Sequence, residues 1–269
     1  MNANLVHHAL AHSAARTPQA PALIDGDTEL TYAQLHAAAL AIAARLRAGM
    51  PAGEPLRRHV VVCMRKSALA VAALYGVLLA GGSYVPVEAD LPVERVAHIL
   101  RETDALCLLV DEAGAALGDA EPGRPRLRLD TSLFSQATTP TSATATAAAT
   151  LPCADADHAA VLFTSGSTGL PKGALITHGN LRAFVAWAVH EFQLHASDRF
   201  ASHASLSFDL SFFDLYAASA VGAAVALVPA SASGSGALLM HFVKTQRPTV
   251  WQSVPSALGL MQVHASQNG

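Results

Sequence analysis

Ten consecutive residues, Thr164-Ser165-Gly166-Ser167-Thr168-Gly169-Leu170-Pro171-Lys172-Gly173, hold three glycines, four hydroxyls and one lysine. Glycine lets the backbone curl until successive N–H groups point into one concavity. Hydroxyls add donors, and the lysine supplies a point charge for an anion. That is chemistry for holding phosphate. It differs from the Walker pattern, in which lysine follows the second glycine directly; here Leu170 and Pro171 intervene. The plain alternative is a Ser/Gly-rich surface loop with a chance lysine, and the length of the string argues against it. A second candidate is Asp209. Leu206, Phe208, Leu210 and Phe212 alternate, so the segment is expected to run extended with Asp209 on the opposite face. Ser211-Phe212-Phe213-Asp214 reads as a Ser-x-x-Asp capping box opening the apolar run Leu215–Val221. If Ser211 is the cap, Asp209 has no capping duty, and a carboxylate in so apolar a stretch is costly unless it meets a cation.

Elements that would position these residues are readable on either side. Ala22–Ile24 and Thr28–Leu30 flank Asp25-Gly26, a hairpin signal. Thr31 with Gln34 forms a capping box, and Leu35, Ala38, Ala39, Ile42 and Leu46 recur at helical spacing. Val60–Met64 reads as a strand buried on both faces, Ser67–Ala80 as a nearly all-apolar helix stopped by Gly81, and Tyr84–Val87 as extended. Asp90 and Pro92 open a helix reaching about Arg101, Leu106–Val110 is a strand, and Ala159–Phe163 is the buried strand feeding the glycine-rich string. Repeated βα units predict an α/β fold with a parallel or mixed sheet between helices. Residues 118–157 lose periodicity, and Thr138–Thr150 is low in complexity. Such a stretch buries too little apolar surface to offset its ordering entropy. The expected organisation is therefore a subdomain over 1–117, a loop or linker over 118–157 and a second subdomain over 158–269.

Composition excludes several classes. The 269 residues carry 17 Lys plus Arg and 20 Asp plus Glu, a net charge of −3, with 52% apolar residues and only 14% charged. Without a basic run there is no electrostatic footprint for nucleic acid. Cys63, Cys107 and Cys153 are widely spaced and read as packing thiols rather than a disulfide framework or zinc site. His8 and His12 are spaced to share a helix face, for which solvent is the first reading and a metal the second. Residues 67–87 and 215–240 are free of charge and long enough to cross a bilayer. Gly81-Gly82-Ser83 and Pro86 interrupt the first, and Gly222, Pro229 and Ser231–Gly236 the second, so both read as buried helix, turn and strand. The N-terminus shows neither a basic start nor a continuous apolar stretch, so a cytoplasmic protein without a membrane span is expected.

Thr164–Gly173 closely resembles the phosphate-loop signature of the adenylate-forming superfamily, which includes acyl-CoA synthetases, luciferases and the adenylation domains of nonribosomal peptide synthesis. Leu30–Leu35 resembles that family's first core motif, Leu79–Val87 its second, Ser207–Ser211 its amino-acid-binding motif and Val250–Pro255 a pocket-lining strand, in the family's order. The resemblance implies a multilayered αβαβα N-terminal domain. It further implies ATP with Mg2+, an amino-acid substrate, and a carrier-protein phosphopantetheine as the final acceptor. Thr164, Ser165, Gly166, Ser167, Thr168, Gly169, Lys172 and Gly173 fall at its phosphate-holding positions. Asp209 matches the aspartate that takes the α-ammonium in amino-acid-activating members, and Phe208 lies by the substrate carboxylate. Leu210, Phe213 and Gln252 match pocket-lining positions, and a bulky Phe213 favours a small substrate. The stretch Leu181–Trp187, with Ser207–Tyr216, is similar to stand-alone ligases that load D-alanine or L-proline onto a carrier protein. His178, His203 and Trp187 are read as packing or capping residues.

The family pattern extends beyond this sequence. Its adenine-contacting and Mg2+-binding segment, its ribose-binding aspartate, its hinge and the small domain with the catalytic lysine would lie after residue 269. No catalytic residue and no metal ligand is therefore assigned within the chain, which is read as the N-terminal part of the fold. Amino-acid adenylation is the first expectation. A synthetase for a non-amino carboxylic acid, delivering to CoA or an acyl carrier protein, and an inactive truncated relic are the alternatives.

Overall fold

The structure, a computed structural model, describes residues 5–48, 50–51, 54–115, 123–136, 153–164 and 171–268. Its first half comprises α1 (Val6–Arg16), the hairpin β1 (Pro21–Asp25) and β2 (Thr28–Thr31), α2 (Tyr32–Leu46), β3 (His59–Cys63), α3 (Ala68–Leu79), β4 (Ser83–Val87), α4 (Val93–Glu102), β5 (Cys107–Val110) and the short α5 (Glu112–Ala115). There follow β6 (Arg126–Arg128), α6 (Ser132–Gln136), the hairpin β7 (His158–Thr164) and β8 (Lys172–Thr177), α7 (His178–Glu191) and β9 (Arg199–Ser202). A helix over 210–221, α8, has Phe213–Ala217 as a π-helical turn, and β10 (Ala224–Leu227), α9 (Gly236–Gln246), β11 (Val250–Gln252) and α10 (Pro255–Asn268) complete the order.

Two sheets result. One has the order β11-β9-β10-β1-β2, the other β6-β5-β3-β4-β7-β8. Both are parallel except for the β1–β2 and β7–β8 hairpins. Strand alternation sends Val60 and Val62 to one side of β3 and Val61 and Cys63 to the other, so each sheet is covered twice. The central layer is the main core, in which α3 is buried all round, as its uniformly apolar sequence requires. Val61, Val85, Leu108 and Val110 pack under α4, while Ile24, Ala201, Ala226 and Val228 pack with Leu239 and Phe242 of α9 and Ala257 of α10. The layering is αβαβα, as expected.

Local chemistry explains most boundaries. The Thr31 cap is reciprocal: Gln34 N–H donates to Thr31 Oγ1 at 3.3 Å and Thr31 N–H to Gln34 Oε1 at 2.9 Å. Ser67 caps α3 through the Ala70 N–H. Gly76, in the middle of α3, lies where α2 crosses; a Cβ there would stand 2.7 Å from Ile42 Cβ and 3.0 Å from the Ala39 carbonyl. Close helix approach therefore requires its glycine. The π-helical turn is met instead by tertiary contacts. Tyr75 Oη donates to the Leu215 carbonyl at 3.0 Å, and Tyr32 Oη donates to the carbonyls of Ala218 at 3.3 Å and Ala223 at 2.7 Å. Hydroxyls from α2 and α3 thus satisfy carbonyls along and beyond the widened turn.

The stretch 118–157, read as aperiodic, contains β6 and α6. β6 pairs with β5 from Leu108↔Arg126 to Val110↔Arg128, and Leu129 and Leu133 enter the main core. Arg126 and Arg128 hide such an edge strand from a hydrophobic pattern. The low-complexity Thr138–Thr150 lies outside the described residues. Each sheet takes strands from both sides of 118–157. The charge-free runs 67–87 and 215–240 are helix–turn–strand units, and among the described residues no helix is long and apolar enough to cross a membrane.

His7 of α1 and His178, the first residue of α7, meet inside the central layer at 3% and 1% exposure, their rings 5.3 Å apart and edge to face. His8 packs edge-on to His7 at 4.5 Å and so turns inward from the solvated face expected for it, whereas His12 is exposed. Burial holds the His7 imidazole well below its ordinary range and lowers His178 to about 4, against the opposing pull of Asp157.

Candidate functional site

β7 forms because Ala159–Leu162 is a continuous apolar run buried on both faces, and β8 returns antiparallel to it, pairing Lys172 with Thr164 and Gly173 with Phe163. The glycine-rich string therefore closes a hairpin. Ser165, Gly166, Ser167, Thr168 and Gly169 lie outside the described residues. Thr164 ends β7, and Lys172 opens β8 with an exposed side chain, so a cation and a hydroxyl flank the mouth of the loop. Gly173 has a packing reason as well: a Cβ would come within 3.0 Å of Val161 Cγ1 and 3.3 Å of Phe163 Cζ.

The Asp209 segment differs from its expected form. Residues 206–209 are a turn, closed by Phe208 N–H to the Ser205 carbonyl, and α8 begins at Leu210. Ser211 is no cap; it lies inside the helix and its hydroxyl donates to the Phe208 carbonyl at 2.6 Å. Asp209 occupies the cap position without a side-chain capping bond. It is also exposed, so solvent rather than a buried partner accommodates its charge, and it remains accessible to an incoming cation. Phe208 is 63% exposed beside it, Leu210 is half-buried, and Phe213 is 5% exposed, wedged between Phe200 at 5.4 Å and Phe192 at 5.8 Å. Gln252 is aligned with Ser202 by the β11–β9 register, and its Oε1 is buried without a partner among the described residues. His203 stacks on Trp251 at 5.8 Å and bonds Ser253 Oγ through Nδ1 at 3.0 Å.

The two candidate regions share one end of a sheet. Ser207 Oγ donates to the Pro86 carbonyl at 3.3 Å, which places the Asp209 turn at the C-terminal end of β4. β7, parallel neighbour of β4, ends in Thr164 at the loop. Crevices outside the carboxyl ends of parallel strands are where open α/β sheets bind ligands.

Three residues around the turn had no assigned role beyond the Asp214 cap. Lys66, between β3 and α3, donates to the carbonyls of Ser202 and His203 at 3.0 Å each and of Ala204 at 3.3 Å. Burial lowers its ammonium to about 8, opposed by the charges of Asp214, Glu88 and Asp25. Glu88, following β4, accepts from Ser205 Oγ. Asp214, expected at the third position of a cap, is 1% exposed in the π-helical turn. Burial raises its pKa well above the carboxylate range, with the Ser202 hydroxyl and then Lys66 opposing. One signal was available: Lys66 and Glu88 are the two charges that bound the uncharged run 67–87.

The sequence pattern of the family described as AMP-binding enzyme matches residues 10–268, nearly the entire chain. The chain belongs to that family. It is 35% identical over 264 residues to an L-proline–[L-prolyl-carrier protein] ligase of Pseudomonas fluorescens, covering 96% of this chain and 51% of the relative. A ligase of the same description from Streptomyces coelicolor is 36% identical over 269 residues, covering 91% and 48%. The chain thus spans about half the length of these curated relatives. Among solved structures, the nonribosomal peptide synthetase FmoA3 bound to alpha-methyl-L-serine-AMP superposes with a TM-score of 0.84 at 31% identity, covering 97% of this chain and 28% of that one. Its AMPPNP-bound form gives 0.83.

Proposed function

We propose that the protein activates a small amino acid with ATP for delivery to a carrier-protein thiol. A carboxylate oxygen of the amino acid attacks the α-phosphorus of ATP. The bond from that phosphorus to the bridging oxygen breaks, and pyrophosphate leaves to give an aminoacyl-adenylate. A phosphopantetheine thiolate then attacks the acyl carbon and releases AMP. Such displacement depends on in-line positioning and on neutralising phosphate charge. Thr164, Ser165, Gly166, Ser167, Thr168, Gly169 and Gly173 supply the loop for that task and Lys172 its charge, with Mg2+ carried on the ATP phosphates. Asp209 takes the substrate ammonium and Phe208 flanks its carboxylate. Leu210, Phe213 and Gln252 bound the side chain.

The observation that carries this reading is the placement of an accessible Asp209 and the mouth of the phosphate loop at the carboxyl ends of the adjacent strands β4 and β7. The relatives named as prolyl-carrier-protein ligases favour an amino acid over a fatty or aryl acid, and a proline-sized substrate is the first to try. Amino-acid-dependent exchange of pyrophosphate into ATP, assayed on the protein as its gene encodes it, is the test. Silence with every proteinogenic and D-amino acid would overturn the reading.

A further inference from the structure

The turn that carries Phe208 and Asp209 is exposed, yet the segment leading into it is tied down residue by residue. An ammonium has three N–H donors and no acceptor. Lys66 directs its donors at three successive carbonyls, those of Ser202, His203 and Ala204, where β9 leaves its sheet. Three carbonyls converging on one point restrict the backbone torsions between them. The next residue, Ser205, donates its hydroxyl to Glu88, and the same oxygen accepts the Ser207 N–H at 3.0 Å. Ser207 in turn donates to the Pro86 carbonyl. The ties to Lys66, Glu88 and Pro86 all reach across from the other sheet, from the connection after β3 or the end of β4. Close by lies the buried Asp214 carboxyl, with the Ser202 hydroxyl and the Lys66 ammonium as its polar neighbours.

We propose that Lys66 and Glu88 are positioning residues for substrate selection, clamping residues 202–207 so that Asp209 and Phe208 are presented at a fixed height above the ends of β3 and β4. This rests on the proposed amino-acid activation and deepens it. Neither residue touches the substrate. Their effect is to narrow the arrangements from which Asp209 meets an α-ammonium, and misplacement by about 1 Å is enough to cost up to ~100-fold. The phosphate loop belongs to a separate hairpin, so its grip on ATP is outside the clamp.

The test is amino-acid-dependent pyrophosphate exchange by the protein as its gene encodes it, comparing wild type with Lys66→Met and Ser205→Ala. The expected result is an amino-acid KM raised about tenfold or more in Lys66→Met and by at least ~3-fold in Ser205→Ala, with the KM for ATP held within about twofold. A purely structural role would degrade both constants together or only reduce the yield of folded protein. Should Lys66→Met fail to fold, Ser205→Ala, which removes one hydroxyl, reads the same split alone. A wild-type amino-acid KM in the folded variants, or a matching rise for ATP, overturns the clamp while leaving the proposed function standing. Absence of exchange in the wild type overturns the proposed function and the clamp with it.

Discussion

Lowering the pH should loosen this protein through the junction of α1 and α7. His7 and His178 are held largely neutral in the fold, because burial resists a charge on either ring and His8 beside them adds to that. In the unfolded chain each takes up a proton near its ordinary value of 6.5. The folded pKa lies below the unfolded one, so the unfolded state binds more protons and is favoured as pH falls. Stability is complete above about pH 6.5 and declines by ~1.4 kcal/mol per pH unit for each such group until the folded form itself protonates. For His178, lowered to about 4, the full loss is ~3 kcal/mol. At about pH 5 His178 has cost ~2 kcal/mol against a typical total of about 5–15, and His7, lowered by burial, adds to the loss with the same sign. His36, His59 and His203 are lowered by burial too and act with the same sign, whereas the raised Asp214 acts against them. A single substitution therefore isolates the effect. Urea unfolding of wild type and His178→Gln, followed by the fluorescence of Trp187 and Trp251 at about pH 7.5 and about pH 5, should show the acid-dependent loss shrinking by ~2 kcal/mol in the variant, whatever its starting stability. An equal loss in both proteins would refute the reasoning.

Gly76→Ala sets a helix-propensity gain of ~1 kcal/mol against overpacking of about 1–3 kcal/mol. With contacts of 2.7 Å to Ile42 Cβ and 3.0 Å to a backbone oxygen, overpacking should win, and the urea midpoint should fall; a rise would mean that α2 and α3 separate at little cost. Thr31→Ala removes a reciprocal cap and should cost ~1 kcal/mol, read as a melting temperature lower by about 2–4 °C. In pyrophosphate exchange, Lys172→Ala should raise the KM for ATP and Asp209→Ala that for the amino acid, each by about tenfold or more, as expected for lost charge-assisted contacts. The reverse pattern would show that the two sites have been exchanged.

Elements whose own residues dictate them were legible in the chain: the Thr31–Gln34 cap, the all-apolar α3, the strands β3 to β5 and the β7 strand before the loop. Three features were not, each for a physical reason. β6 is an edge strand whose Arg126 and Arg128 face solvent, so it has no apolar period to detect. The Ser211 cap was a plausible local pattern displaced by tertiary contact, because tyrosines on α2 and α3 supply the hydroxyls that shape α8 from outside. Lys66 and Glu88 act on residues more than a hundred positions away, and no local spacing signals a lysine destined for three carbonyls of another sheet. The candidate site motifs stand out in the chain because each is contiguous. Their relation to one another came only from the β4–β7 pairing and the Ser207 bond to Pro86.

The arrangement of the first sheet has a cost in time. β1 is synthesised about 200 residues ahead of β10, yet it pairs with it on its inner side, Leu23 against Val225. At about 5–20 residues per second, a ribosome needs roughly 10–40 s to deliver that partner. Until then the edge of β1 carrying Leu23 and Ile24 has no partner strand, the kind of surface that draws in other chains. Closing so large a loop also delays the reward of the contacts it makes, which slows folding. The nascent chain is therefore expected to depend on holding chaperones until β10 emerges, and to refold from denaturant much more slowly than a helical protein of equal length.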